Sequence, residues 1–271
     1  MGRLTILFLS FLLLKVNGYS QSVADCKSKV FQDSLVQVYS EKAWKFGYNH
    51  PQWQASWDSL LAICPDIAMA YREKAIPYLK NGDYAKAFQL EDKAVELDPE
   101  SWIAYRAFLH CIFTKNYERA LVDFERAEKL VPKAYIMDHT YSFYKGLSCL
   151  GLEEYDKAEQ ALLLDIAQQH EKSANNDTHF NSFLYLGIVY YEMKEYVKAE
   201  KVLKDCLRLY EQLPEANYYL ALTFKKTGNA MATQYLEKAK EYLQLGYKIN
   251  EDNEFYANYP KQISLSDINN K

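Results

Sequence analysis

Glycine is scarce in this sequence, nine among 271 residues, and the scarcity excludes several chemistries at once. No G-x-x-x-x-G-K, G-x-G-x-x-G or G-x-S-x-G occurs, so neither a phosphate-cradling loop nor a strained nucleophile turn is encoded. Gly146-Leu147-Ser148 comes nearest, but Leu150 stands where the second glycine belongs. The five cysteines include no C-x-x-C pair, which removes thioredoxin-like redox sites and zinc ribbons. The five histidines show no H-x3-H, and in His170-Glu171 the second histidine of a zincin motif is replaced by Ala174. Acidic pairs such as Glu153-Glu154 and Glu251-Asp252 lack the spacing and glycine of a calcium loop and read as solvated surface. No catalytic residue, metal site or cofactor is therefore expected.

A basic excess is missing too. The formal net charge is −4, so the chain has no electrostatic footprint for nucleic acid. Long apolar runs are confined to the N-terminus. There Arg3 precedes Leu4 to Leu14, interrupted only by Thr5 and Ser10, and the polar Asn17-Gly18-Tyr19-Ser20 follows. The run falls short of the roughly 20 residues needed to span a bilayer and reads as an export signal over residues 1–20, cleaved between Gly18 and Ser22. The mature protein is then periplasmic or extracellular, with no transmembrane segment. Cys26 could carry a lipid, but Val23-Ala24-Asp25 is a poor lipobox and lies well past the apolar run.

An oxidising compartment permits disulfides, while an odd number of cysteines leaves at least one thiol unpaired or intermolecular. Cys111, Cys149 and Cys206 fall on helical stretches and read as buried thiols. Cys26 and Cys64 are the candidates for a disulfide, because both lie before the regular part of the chain.

What the sequence has in abundance is tyrosine, 24 residues, within an aromatic content of 15%. Ala68 to Pro99 reads as two amphipathic helices split by Asn81-Gly82-Asp83, with Gly82 as a helix stop and Asp83 as an N-cap. Tyr71, Ala75 and Tyr78 share one face of the first, and Ala87, Ala94 and Leu97 one face of the second. A Tyr-x-x-Ala step recurs at Tyr84/Ala87, Tyr117/Ala120, Tyr155/Ala158 and Tyr196/Ala199; subtraction of successive tyrosine positions gives 33, 38 and 41. Residues 21–66 read as an N-terminal helical cap, with helices over Leu35 to Ala43 and Trp53 to Ile63. Pro77 should kink its helix or expose a carbonyl, and the polar Lys172 to Thr178 should lengthen a connection. Asp138-His139 reads as a helix-start pair. Tyr256, Tyr259 and Ile263 of the tail are expected to cover the open last unit.

Phe183-x2-Leu186-Gly187-x2-Tyr190 with Ala199-x3-Leu203, and Tyr105-x2-Phe108-Leu109-x2-Ile112 with Ala120-x3-Phe124 and Pro132, resemble the tetratricopeptide repeat. The match is partial elsewhere: the opening unit departs at Lys74 and Glu91, and the third at Ser142, Lys145 and Cys149. A fifth unit keeps Leu220-Ala221, Phe224 and Gly228 but loses the Tyr-x-x-Ala step. The resemblance implies an all-α, right-handed superhelical solenoid over residues 67–246, with residues 247–271 as C-terminal cap and tail. It also implies a concave groove lined by the second, fifth, ninth and twelfth residues of each first helix. Here these include Met69, Arg72, Ile76, Ile103, Arg106, His110, Phe113, Phe143, Leu184, Tyr191 and Tyr218. Such a groove suits a protein or peptide partner, a helix or extended segment oriented through an acidic group by Arg72 and Arg106. The chaperone-tail clamp of some members is not matched, since Ile76, Leu147 and Ile188 replace its asparagine. A glycan or lipid carrier, with Tyr191 and Tyr218 stacking on sugar rings, is the alternative. Oligomeric state is not encoded in any recognisable way.

Overall fold

A computed structural model of the chain describes residues 25–173, 175, 177–249 and 259–269. Residues 1–20, expected to be an export signal, Tyr256 and the acidic pair at 251–252 lie outside the described residues. Two cap helices come first, α1 (Lys29–Trp44) and α2 (Pro51–Ile63). Five helix pairs follow: α3 (Ala68–Lys80) with α4 (Tyr84–Leu97), α5 (Pro99–Ile112) with α6 (Tyr117–Leu130), α7 (Tyr141–Gly151) with α8 (Tyr155–Lys172), α9 (Phe180–Glu192) with α10 (Tyr196–Leu209), and α11 (Pro214–Thr227) with α12 (Ala232–Gln244). A short α13 (Leu265–Asn269) closes the chain. Each helix packs on its sequence neighbours, and the first helices α5, α7, α9 and α11 also touch in succession, forming an inner row.

The pairs turn by one recurring device. Gly82, Lys115, Glu153, Lys194 and Gly228 all have positive φ and follow the C-terminal end of a first helix. The amides of Asp83, Glu154 and Glu195 reach back to the carbonyls of Tyr78, Cys149 and Tyr190 at 2.8–2.9 Å. This is the six-to-one bond that closes a helix on a left-handed residue. Asp83 and Asn116 then accept from the amides three residues on, Lys86 and Arg119. The four tyrosines of the Tyr-x-x-Ala steps are the first residues of α4, α6, α8 and α10, and the alanines are fully buried. Where the helices approach most closely even alanine is too large. A Cβ on Gly187 would lie 2.6 Å from Leu203 and one on Gly146 2.7 Å from Leu162.

The cap is a second, smaller apolar cluster around Trp53, Trp57, Leu60 and Cys64. Cys26 and Cys64 form a disulfide with Cα atoms 5.4 Å apart, joining the segment before α1 to the end of α2. Its first helix starts six residues before the sequence-predicted Leu35, at Lys29, because Ser28 accepts the amide of Phe31 and caps it there. Pro77 lies inside α3, and its missing N–H leaves the carbonyl of Glu73 without a helical donor. The indole N–H of Trp53 supplies that bond at 2.9 Å, and Gln54 donates to the next carbonyl, Lys74, at 3.0 Å. The expected exposed carbonyl is thus satisfied by the cap.

Between α6 and α7 the chain forms a hairpin that the helical pattern did not foreshadow. Strands β1 (Tyr135–Ile136) and β2 (His139–Thr140) pair antiparallel in the register Tyr135 with Thr140 and Ile136 with His139. The two-residue turn, Met137-Asp138, has φ of +46° and +70°, the double left-handed turn that matches strand twist. Asp138-His139 is therefore not the cap of α7. Thr140 caps it, accepting the amide of Phe143 at 3.0 Å. The polar insertion is absorbed partly by α8, which at 18 residues is longer than the other second helices.

Replacing Gly187 with alanine should destabilise the chain by roughly 1–3 kcal/mol, the usual cost of overpacking, read as a lower midpoint in urea. Combining it with Leu203→Ala should cost less than the two single changes summed. Strict additivity would refute the contact.

Candidate functional site

The residues predicted to line one groove are distributed over several environments. Met69 and Ile76 pack against the cap cluster. Ile103, Phe143 and Leu184 have no exposed surface, and Phe143 is enclosed by the rings of His139, Tyr144 and Tyr185. Phe113 is half-buried, edge-on to Tyr84 and Phe108. Tyr191, half-buried, and Tyr218, buried, both meet Tyr219 edge-on, at 5.8 and 5.3 Å. These residues do not share one environment: cap packing covers those at one end and aromatic packing encloses those at the centre.

Arg72 and Arg106 were expected to orient an acidic partner, and the structure corrects this as well. Arg72 pairs with Glu73 at 2.5 Å and lies over the rings of Tyr105 and Trp102. Arg106 donates to both oxygens of Asp123 on α6, at 2.7 and 2.8 Å, and to Asp92 on α4 at 2.7 Å. Their charge is neutralised within the protein. His110 lies beside Arg106 and stacks on Phe88 at 4.2 Å. Burial holds its imidazole neutral, its pKa pushed down to about 4. Together they line a cleft of about 440 Å³ bordered by α4 and α6, with Arg119 and Arg126 at its rim.

Glu91 sits at the centre of this charged region. It is fully buried and occupies the place that Phe124, Leu162 and Leu203 fill in the next three units. Neither carboxylate oxygen has a hydrogen-bond partner. Desolvation raises its pKa to about 8 against the pull of Arg72 and Arg106, so the group is protonated at neutral pH.

A larger cleft, about 780 Å³, lies between the hairpin and the end of α8, lined by Tyr135, Asp138, Gln169, Lys172 and His179 among others. His139, behind it, is buried on Phe143 and held neutral, its pKa near 3. Among the described residues no group of three His, Cys, Asp or Glu side chains could hold a metal ion. Burial pushes the Cys111 thiol up to about 11, the wrong direction for a nucleophile.

The most specific surface was missed by the groove rule, which stops one residue short of it. Tyr144, Tyr185 and Tyr219 each occupy the sixth place of their units, directly after Phe143, Leu184 and Tyr218. Residues 259–269 lie along this tyrosine row. The Tyr144 hydroxyl donates to the carbonyl of Met137 at 3.2 Å and lies near that of Tyr259. Tyr259 stacks on Tyr185 with ring centroids 6.4 Å apart, and the Tyr185 hydroxyl donates to the carbonyl of Pro260 at 2.8 Å. Lys261 reaches Glu192 at 3.3 Å. Ser264 donates its amide and its hydroxyl to the Asp267 carboxylate at 2.7 and 2.6 Å at the start of α13, whose Ile268 is buried and which packs on α12. Tyr259 thus lies over the third and fourth units rather than the last one, where it was expected. The missed signal was the repetition of tyrosine at one place in three successive units.

No protein-family model matches the chain, and no curated protein is similar to it in sequence. Solved structures are similar in fold. PilW, a widely conserved type IV pilus biogenesis factor, superposes with a TM-score of 0.62 at 19% identity, covering 81% of this chain and 99% of its own. PilF of Pseudomonas aeruginosa gives 0.60 at 17%, covering 80% and 93%. YrrB, a TPR protein with an unusual peptide-binding site, gives 0.51 at 18%, covering 69% and 92%. The fold is the all-α solenoid of tetratricopeptide-repeat proteins.

Glu91 yields a pH prediction with a definite sign. Its folded pKa is raised, so the stability it permits is complete below its ordinary value of 4.5 and is lost as pH rises towards about 8. Glu91→Gln should flatten the stability profile across that window. Glu91→Leu should raise stability at pH 8 by a few kcal/mol. Urea midpoints at pH 5, 7 and 8 test this; parallel profiles for parent and Glu91→Gln would contradict it.

Proposed function

We propose that the chain is an exported protein-interaction module that docks a partner segment along its inner row of first helices, over Tyr144, Tyr185 and Tyr219. The observation that carries this reading is the turn over Tyr259–Ile263 lying against that row, with Lys261 at positive φ and the backbone carbonyl of Pro260 bonded to a buried tyrosine hydroxyl. A surface that holds one peptide backbone by stacking and a main-chain hydrogen bond has the chemistry to hold another. The fold supports interaction as the general activity, and the buried thiols and the neutral His110 and His139 favour binding over catalysis. Aromatic side chains suit this role because they bring large contact area at small entropic cost.

Export is supported by the apolar N-terminal run behind Arg3 and by the Cys26–Cys64 disulfide, which persists in an oxidising compartment. Expressed with its own N-terminus, the protein should be recovered outside the cytoplasm, with a mass that places its new N-terminus between residues 18 and 22. Without reductant the unfolded protein should take up three alkyl groups, on Cys111, Cys149 and Cys206. Five alkylations or an intact N-terminus would count against export.

A photo-reactive phenylalanine analogue at Tyr191, beside the tyrosine row, should form adducts with one partner in native envelope extract. The same group at Val197 of α10, 83% exposed, should not. The partner, identified by mass spectrometry and purified, should bind the parent chain with a Kd in the micromolar range or below. Equal labelling from both positions would refute docking on the inner row.

A further inference from the structure

We infer that residues 259–269 are a built-in ligand of the inner face, occupying in cis the site that a partner segment takes in trans, and that they define that partner's chemistry. The inference rests on the docking reading above and deepens it. The order of contacts along the tail is specific. An aromatic ring at Tyr259 stacks on Tyr185. Next comes a residue without an N–H, Pro260, buried, its carbonyl held by Tyr185. A cation at Lys261 then meets Glu192, and an apolar side chain at Ile263 packs into the main core cluster.

Proline suits its place for a physical reason. A buried amide with no acceptor would be costly, and Pro260 has no amide to satisfy. The face offers a hydroxyl donor to the carbonyl and a carboxylate to the cation. A partner segment therefore turns at its proline, as the tail does at Pro260-Lys261, and carries the order aromatic, proline, basic residue, then an aliphatic residue two places on.

The covalent link makes the tail a strong competitor. Nine residues lie between Ile249, itself buried in the core cluster, and Tyr259. A tether of that length holds the tail at an effective concentration on the order of millimolar. A partner must exceed that concentration relative to its own affinity, so the parent chain binds weakly until the tail is displaced.

The test uses the full chain and a fluorescent peptide with the sequence of residues 259–269. A release variant, Tyr259→Ala with Lys261→Ala, should bind the peptide at least tenfold more tightly than the parent. Adding Glu192→Lys should abolish binding, and a peptide with glutamate in place of its lysine should restore it. That restoration is a readout that a merely structural effect would not give. Equal affinity of parent and release variant overturns the inference, as does failure of the charge swap.

Should the release variant not fold, the parent itself carries the test. Hydrogen exchange at the amides of residues 261–269 should accelerate several-fold in excess peptide, and an unchanged rate overturns the inference. A parent that is dimeric through exchanged tails, read by sedimentation, also overturns it. Adducts from Tyr191 without a gain for the tail peptide would refute the built-in ligand while leaving docking intact. A peptide gain without adducts would do the reverse.

Discussion

The contact on which the rest of the architecture depends is the close approach of each first helix to its second. It is made by small residues opposed to branched ones: Gly146 against Leu162, Gly187 against Leu203, with Ala87, Ala120, Ala158 and Ala199 fully buried beside them. A pair of short amphipathic helices cannot bury its apolar surface alone. Only when the pair is tight enough to act as one slab can the next pair stack on it. The left-handed residue at 82, 115, 153, 194 and 228 serves that approach by reversing the chain within about three residues. At three of these sites the residue is lysine or glutamate, which carries a modest steric cost there. The six-to-one hydrogen bonds and the packing that follows offset it.

Two units carry a polar side chain where the repeat expects an apolar one, and the two are handled differently. Asp165 of α8 is fully buried but accepts from Thr140 and Gln169 at 2.7 and 2.9 Å. It thereby ties the long α8 to the hairpin, and Gln169 extends the link to Ser182 of α9. Glu91 has no such donors and is accommodated by protonation instead. Its neighbours Arg72 and Arg106 already have acids of their own in Glu73, Asp92 and Asp123. The charged region of the first two units is thus self-contained, which is why its arginines do not form a recognition patch. Pro77 is a parallel case: a local defect in α3 that a side chain from the preceding layer, Trp53, repairs.

The helices and their order were legible from the sequence because Tyr-x-x-Ala steps and turn residues act locally, within one helix pair. The hairpin was not, since four residues of strand joined by Met137-Asp138 leave no periodicity to read. The Trp53–Glu73 and Asp165–Thr140 contacts link residues 20 and 25 apart in sequence, and no spacing rule finds such pairs. The groove failed for a different reason. Its rule assigns faces by counting along an ideal unit, whereas these first helices pack their fifth and ninth residues, such as Phe143, Leu147 and Leu184, into the core. The sixth place, one residue further round the helix, is equally buried, and at Tyr185 it meets the tail. Tyr144, Tyr185 and Tyr219 could have been found by asking which side chain repeats without being required by the fold.

A solenoid leaves unsatisfied surface at its ends and along its inner row, and this chain treats each differently. The N-terminal end is closed by a disulfide-bonded helical cap with its own tryptophan core. Along the inner row the last three units project hydroxyl-bearing rings rather than aliphatic ones. A phenylalanine row would bury equal area but leave a covering peptide's carbonyls without donors. Tyrosine supplies both the apolar ring and the donor, as the Tyr185 bond to Pro260 illustrates. The pairing is therefore matched to main chain as well as to side chains. That match distinguishes a surface suited to peptide from one that is merely apolar, because water competes for every hydroxyl that the covering segment fails to engage.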